Sequence, residues 1–561
     1  MTTFNVRRAR ELPVYSGDAG NVTVIGIRKD NGETVQVDQS EVILEAFLKT
    51  SKPYYGTRQK NWRNSLSQEL EAVNPELMTA AAQPWWERIR SFVENPDGSV
   101  KYYLDKNDSR YKEGGTVPAD LTGKDGNVMV EIPAHYIKVE YRDGDRYRLY
   151  SDFELPGFSL IPRMVISKFM ATKYTGSTVA NSALVQNGMV SNCLLMWDNM
   201  SYMQTVSGDE SPILRHTVTA GGVNYRTPYF GQFDSSIAAN EGLVADAAWH
   251  TLAEACRGGN VTGTTLDETY HSELGMCRTG MSRTEFRTAC NAVNTAHSIS
   301  DSDKRLHIGA FHVLNELAWG ARSKYLNYDI QNVVAFGEGS AEKLSSSEWS
   351  TWGGGQYEPF IPRGVTAPLG DNTGYVTYKV EKADGTEKTV KCGCVFGVEL
   401  PVGYIWANCD DLLAYNDGQA FYAYWCNDPA HYFTPADSGA QSLGESNGYE
   451  LIATMPMTDG YLARESMAEN GLSLPMVQGG GAGAAAGVGD YYYHGSSTGW
   501  FCCLLGGNAI YGANAGFGFL YANNRPANSN ANIGARLYRM KVKRYANVCA
   551  TSPLGEKDIK N

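Results

Sequence analysis

The chain has 561 residues, 42% of them apolar, which is enough for more than one hydrophobic core and unlike a disordered polymer. Lys and Arg total 49 against 61 Asp and Glu, a net charge of −12, so no basic field is present to hold a phosphate backbone and nucleic acid is not an expected partner. The opening MTTFNVRRARELPVYSG lacks the apolar stretch of a secretory signal, and no run of about 18 apolar residues occurs, so neither export by a signal peptide nor membrane insertion is expected.

Residues 1–60 carry a short apolar pattern of their own and read as an N-terminal attachment segment. Residues 61–160 read as a β-rich hairpin module with short helices. Turn dipeptides recur there and just before it, at Asn31-Gly32, Asp97-Gly98, Asp125-Gly126 and Asp143-Gly144, beside runs such as SVKYYL, NVMVEIP and RYRLY that suit hairpin strands. Between them SLSQELEAVNPELMTAAAQPWWERIRSFVEN, punctuated by Pro75 and Pro84, predicts two short helices broken by turns.

From about residue 160 the chain becomes Gly-, Asn- and Ser-rich and holds a few strong elements. MSRTEFRTACNAVNTA predicts a helix capped by Ser282 or Thr284, with Phe286, Cys290 and Val293 on one face. RLHIGAFHVLNELAWGARSKYL predicts a second, with Ala310, Val313, Leu314, Leu317 and Ala321 at helical spacing. A hairpin is expected around Asp384-Gly385 and a last strand in YRMKVKRYANV. The fold class is therefore α+β, and the long segments between elements point to a scaffold that presents loops.

Eleven cysteines, an odd number, cannot all pair within the chain, and most read as buried thiols. The spacings of Cys392 with Cys394 and of Cys502 with Cys503 do not make a zinc site, so no metal and no cofactor is expected. The nine histidines form no catalytic or metal motif; His307 and His312, five apart on the expected helix, read as one solvated and one packed residue. Asp410 and Asp411 are neighbours in sequence and read as solvated surface carboxylates, not as a glycosidase pair.

The stretch YYYHGSSTGWFCCLLGGNAIYGANAGFGFLYANNRPANSNANIGARL, residues 491–537, fits neither a core strand nor a disordered tail. Its Tyr, Ser, Gly and Asn content is the mix of antibody loops, in which tyrosine supplies amphipathic contact area at low rotamer cost. Three consecutive tyrosines cannot all face one side of a strand, so at least one points outward.

With the two helices, the KCGCVFGVELP hairpin, the lead-in PMVQGGGAGAAAGVGDYYY and the closing SNANIGARL, the chain resembles the variable proteins of diversity-generating retroelements. The resemblance covers about residues 95–545 and includes an upstream part, DGSVKYYLDKNDSRYKEGGTVPADLTGKDGNVMVEIPAHYIKVEY, similar to that of gut-phage tail proteins. It implies a C-type lectin-like fold of the formylglycine-generating-enzyme variety over residues 161–561, with a variable region at about 490–537. In that family miscopied template adenines turn AAC codons for Asn into codons for Tyr, His, Ser, Ile, Phe, Gly or Cys. By this resemblance the ligand-binding residues are Tyr491, Tyr492, Tyr493, His494, Ser496, Ser497, Asn508, Ile510, Tyr511, Asn514 and Tyr521, set in an unvaried frame of GWFCCLLGG, GFGFL and NIGARL.

The implied protein is a non-enzymatic, homotrimeric phage tail-fibre or tail-tip component. It would be carried in the virion with other tail proteins and bind a bacterial cell-surface receptor, protein or glycan. Calcium-mediated sugar binding is not expected, because the nearest string, WCNDP at Trp425 to Pro429, carries an extra Cys426 and has no Pro-containing partner motif. Two alternatives stand beside this reading: a formylglycine-generating type of enzyme, which needs a reactive thiol, and a structural virion protein without a ligand.

Overall fold

The structure is a computed structural model. It describes residues 53–119, 121, 125–171, 281–309, 311–330, 364–381, 387–432, 448–479, 487–528 and 532–540, with backbone strand pairs at 27–28/34–35, 172–173/179–180 and 216–220/223–227. Most of the expected attachment segment, the Asp384-Gly385 turn and residues 480–486 of the Gly-rich lead-in lie outside the described residues.

The N-terminal hairpins follow from their turn residues. β1 (Val128–Ile132) precedes β2 (His135–Arg142) and β3 (Asp145–Ser151), which pair from Tyr136↔Ser151 to Arg142↔Asp145. Asp143 and Gly144 both take positive φ, 54° and 81°, the two-residue turn whose twist matches that of its strands. Asp97-Gly98 likewise joins the paired strands Arg90–Glu94 and Val100–Tyr103. Asp125-Gly126 departs from expectation, because the strands flanking it do not pair with each other. The Asp125 carboxylate instead accepts from Lys101 Nζ at 2.8 Å and the Tyr102 hydroxyl at 2.9 Å. Gly126 passes so close to Glu94 that a Cβ would lie 1.9 Å from its carbonyl oxygen.

The two short helices expected around Pro75 and Pro84 form as three 3-10 turns, Pro75–Leu77, Ala80–Ala82 and Trp85–Arg88. Proline this often removes backbone donors and leaves no room for an α-helical nucleus. The last turn places Trp85 and Trp86 in the core, Trp85 stacked on His135 with ring centroids 4.4 Å apart.

β4 (Met164–Ser167) lies beyond the expected boundary at 160/161 yet pairs with β1 on the near side of it. It lies between β1 and a strand near the far end of the described chain, with Met164 opposite both Ile132 and Met540. The six-stranded sheet runs His307–Ile308, then Leu537–Met540, β4, β1, Arg90–Glu94 and Val100–Tyr103. One continuous hydrophobic core joins Trp85 and Tyr150 of the N-terminal part to Val313, Leu317, Tyr492 and Phe501.

α1 (Arg283–Ala296) begins with the full capping box: Ser282 accepts from the Glu285 amide, and the Glu285 carboxylate accepts from the Ser282 amide at 2.7 Å. α2 (Phe311–Tyr325) is buried on all sides from Phe311 to Ser323, as a helix through the middle of a protein must be. His307 does not belong to this helix; it sits half-buried on a two-residue strand before it, while His312 is buried within α2.

The largest sheet carries the region of interest. Its strands are β5 (Trp406–Asn416), β6 (Phe421–Trp425), β7 (Glu450–Met455), β8 (Gly460–Met467), β9 (Ser473–Gln478), β10 (Tyr491–His494), β11 (Gly499–Leu505) and β12 (Leu520–Asn524). In space they run β7, β6, β5, β11, β12, β10, β8, β9, with Ile533–Gly534 parallel to β5. The closing strand Leu537–Met540 is β13.

Candidate binding surface

β10 lies parallel to β12, with Tyr493 opposite Tyr521, and antiparallel to β8, with Tyr491 opposite Tyr461. Strand alternation then divides the three tyrosines. Tyr492 turns inward, is 0% exposed and donates its hydroxyl to the Pro456 carbonyl at 3.0 Å. Tyr491 and Tyr493 turn to the other face and stay half-buried. Tyr492 is therefore a core residue and not a member of an exposed surface. Tyr492→Ala is expected to cost about 3–5 kcal/mol of unfolding free energy, measured by urea denaturation; a change below about 1 kcal/mol would contradict its place in the core.

The outward tyrosines converge. Ring centroids lie 4.7 Å apart for Tyr491 and Tyr493, 5.1 Å for Tyr493 and Tyr521, 6.1 Å for Tyr493 and Tyr511, and 5.0 Å for Tyr461 and Tyr491. Beneath them is a floor of buried Trp406, Leu504, Ala515, Phe519 and Ile533, separate from the main core. Trp406 and Phe519 meet edge to face at 4.7 Å, a favoured aromatic geometry. Burial pushes the Tyr493 hydroxyl up to about 12 and raises that of Tyr521, so both are neutral groups able to donate and accept at physiological pH.

The other expected site residues divide by position. Asn514 joins the cluster, its Oδ1 accepting from the Tyr461 hydroxyl at 2.5 Å, and Ile510 and Tyr511 lie half-buried on the same loop. Asn508 does not belong: it is buried, its Oδ1 accepting from the Ile510 amide at 3.2 Å and its backbone bridged to Tyr404, so it shapes the loop from inside. His494 shares the face of Tyr492, half-buried at the strand end, where Nδ1 meets Asp459 Oδ1 at 2.6 Å. Ser496 and Ser497 are exposed on the turn into β11, and Ser497 Oγ accepts from Arg525 at 2.5 Å. The structure thus gathers Tyr491, Tyr493, Tyr511, Asn514 and Tyr521, with Ile510 beside them, and leaves His494, Ser496 and Ser497 on a neighbouring turn.

Two contributors were not singled out in the sequence. Tyr461 occupies an outward position of β8, and Trp406 opens β5; both lie outside the 491–537 block.

The loop that follows is fixed from below. Buried Asp490 accepts from the Gly518 amide at 2.7 Å, and a Cβ on Gly516 would meet the Asp490 carboxylate at 1.9 Å, so the backbone lies directly against the acid. Burial, with Asp329 close by, raises the Asp490 carboxyl well above the usual carboxylate range.

Asp410 and Asp411 are buried, at 1% and 2% exposure, in contrast to the solvated surface expected for them. They lie where β5 bulges between Asn408↔Leu504 and Leu413↔Cys502. Asp410 is paired with Arg283 and Arg287 of α1, the latter through Nε at 2.8 Å. Asp411 accepts from the Phe311 amide at 2.7 Å and the His312 amide at 3.1 Å, capping the N-terminus of α2. Each burial is compensated by partners more than 95 positions away in the chain.

All seven cysteines among the described residues are free and buried. Arg283 Nη1 lies 2.9 Å from Cys502 Sγ, yet burial outweighs it and holds this thiol above its ordinary range; Cys503 is pushed up further. Among the described residues no group of three or more His, Cys, Asp or Glu is placed to hold a metal ion, and no helix is long and apolar enough to cross a membrane. No protein-family model matches the chain, and no curated protein matches it.

Proposed function

We propose that the chain is a receptor-binding protein of a phage tail fibre or tail tip, a retroelement-diversified variable protein that meets a bacterial surface through the tyrosine cluster of its C-terminal region. The observation that carries this reading is a convergence: of the eleven codon-exchangeable positions, Tyr491, Tyr493, Tyr511, Asn514 and Tyr521 line one outer face over a floor of Trp406, Leu504, Ala515 and Phe519, while Tyr492 and Asn508 are buried. A surface of replaceable side chains over an invariant base is what a diversified binder needs.

A C-type lectin-like fold of the formylglycine-generating variety from residue 161 is supported by two helices packed with the sheets and by the pairing of β4 with β13, which brings the two ends of that region together. Buried Trp500 and Arg536 suit an unvaried frame; Arg536 donates to the carbonyls of Ser167 at 3.2 Å and Leu400 at 2.9 Å. A formylglycine-generating activity draws no support from Cys502 and Cys503, because a buried thiol with a raised pKa is a poor nucleophile. In this reading three copies display the surface together, so weak single sites sum to useful avidity, and the N-terminal segment joins other tail proteins.

The test is genetic. The adjoining DNA should hold a near-identical repeat with Asn codons at the exchangeable positions, beside a reverse transcriptase gene. Sibling sequences should differ at Tyr491, Tyr493, Tyr511, Asn514 and Tyr521 and keep Trp500, Gly506, Gly507, Gly534 and Arg536. Differences scattered evenly over residues 480–540 would sink the idea.

A further inference from the structure

We infer that the ligand of the tyrosine cluster is an uncharged saccharide, whose ring faces stack on Tyr493 and Tyr521 while its hydroxyls meet the phenol hydroxyls and the Asn514 amide. The inference rests on the reading of this face as the binding surface, and it narrows the class of receptor.

Charge is the first ground. Between Tyr491 and Asn528 the only residue with a fixed charge at neutral pH is Arg525. It is committed elsewhere: its guanidinium lies 4.1 Å from the centre of the Phe501 ring and donates to the Trp500 carbonyl at 2.9 Å. Asp459, nearby, is held to His494. A carboxylate or phosphate ligand would find no counter-charge on the rings and would lose its hydration for nothing.

Shape is the second. A protein interface is anchored by projecting side chains that fill pockets on the partner. None of the clustered rings is among the strongly exposed large apolar residues of the described chain, which are Leu66, Val117, Tyr141, Tyr375, Leu451 and Met457. The cluster offers half-buried ring surface at spacings of 4.7 to 6.1 Å. The negative face of an aromatic ring attracts the polarised C–H groups of a flat, amphipathic partner. A pyranose has both such a C–H face and a rim of hydroxyls.

Hydrogen bonding is the third. Tyr491, Tyr493 and Tyr521 stay half-buried on the outer face, and each carries a phenol hydroxyl able both to donate and to accept toward a ligand's rim. The contacts proposed for the sugar are the rings, their hydroxyls and the Asn514 amide.

The experiment uses the full chain. Neutral and acidic surface polysaccharides and the surface-protein fraction, purified from the same panel of bacterial strains, are immobilised separately, and retention of the chain is measured with and without EDTA. Retention by a neutral polysaccharide, unchanged by EDTA, is expected, and Tyr493→Ser/Tyr521→Ser should weaken it by about tenfold or more. Tyr493→Phe/Tyr521→Phe, which keeps the rings over Phe519 and Trp406 and so guards against misfolding, should fall between that variant and the native chain. Retention by acidic polysaccharide or protein alone, by nothing, or only in the absence of EDTA overturns the saccharide inference. If a protein fraction retains the chain and the serine variant loses it, the surface reading stands and the saccharide fails. If the serine variant is retained as well as the native chain, the surface reading itself fails.

Discussion

Replacing Glu316 with alanine should lower the unfolding free energy by about 3–5 kcal/mol, the largest single-site loss expected outside the aromatic core. Glu316 on α2 and Arg148 on β3 are both about 1% exposed and face each other, Nη2 to Oε2 at 2.7 Å. Burial opposes the Glu316 charge, and Arg148 outweighs it, holding the carboxyl below its ordinary range. Arg148 also donates to the Gly471 carbonyl at 2.6 Å and the Tyr150 hydroxyl at 2.9 Å, so one guanidinium ties the N-terminal sheet to α2 and to the turn after β8. Removal of Glu316 leaves that cation buried without a counter-charge. The double change Arg148→Met/Glu316→Leu should recover much of the loss, since apolar replacement of a buried pair is often close to neutral. Urea denaturation of the three variants decides the matter, and a single variant within about 1 kcal/mol of the native chain contradicts the account.

Acid should weaken the fold, and a defined part of that weakness should trace to His312. Burial depresses its imidazole from 6.5 to about 4, and that of His307 to about 3. The unfolded chain takes up a proton near pH 6.5 that the folded chain refuses until about pH 4, so the stability from this group is intact above 6.5 and falls as the pH drops through that window. At about 1.4 kcal/mol per pH unit, the loss for His312 is roughly 3 kcal/mol. Burial raises the carboxyls of Asp371, Asp411 and Asp490, and these act in the opposite sense, so the native pH curve alone is a mixture. The difference between the native chain and His312→Leu isolates the imidazole, whose ring meets Trp425 edge-on at 5.5 Å. Stability curves of the two proteins that run parallel from pH 7 to pH 4 would count against a buried neutral imidazole.

What was legible in the sequence was local. Asp143-Gly144 announced its hairpin because only a few residues accept positive φ at both turn positions, and Ser282 with Glu285 announced a helix start because the capping box lies within four residues. The rule that three tyrosines on a strand cannot share a face also held, but parity alone left open which side was inside. That was set by the register of β10 on β12 and β8, partners 28 and more positions away, and it made Tyr492 a core residue. The same blindness to distance hid Asp410 and Asp411, whose compensating groups come from α1 and α2, and it left Tyr461 and Trp406 out of the cluster they complete. The expected helices around Pro75 and Pro84 failed for a local reason, proline spacing, that apolar periodicity alone does not weigh.

The place of β13 between His307–Ile308 and β4 sets an order on synthesis. The Ser167 hydroxyl waits for the amide of Leu537, 370 positions later, so the six-stranded sheet stays open while nearly all of the chain leaves the ribosome. Contacts of such range close late and slowly. A frameshift anywhere in residues 491–537 would also remove the strand that seals the sheet, leaving an exposed edge between β4 and His307–Ile308. Completion of the fold thereby reports on the reading frame of everything before it: a chain read out of frame keeps an open sheet edge, the kind of edge that invites aggregation.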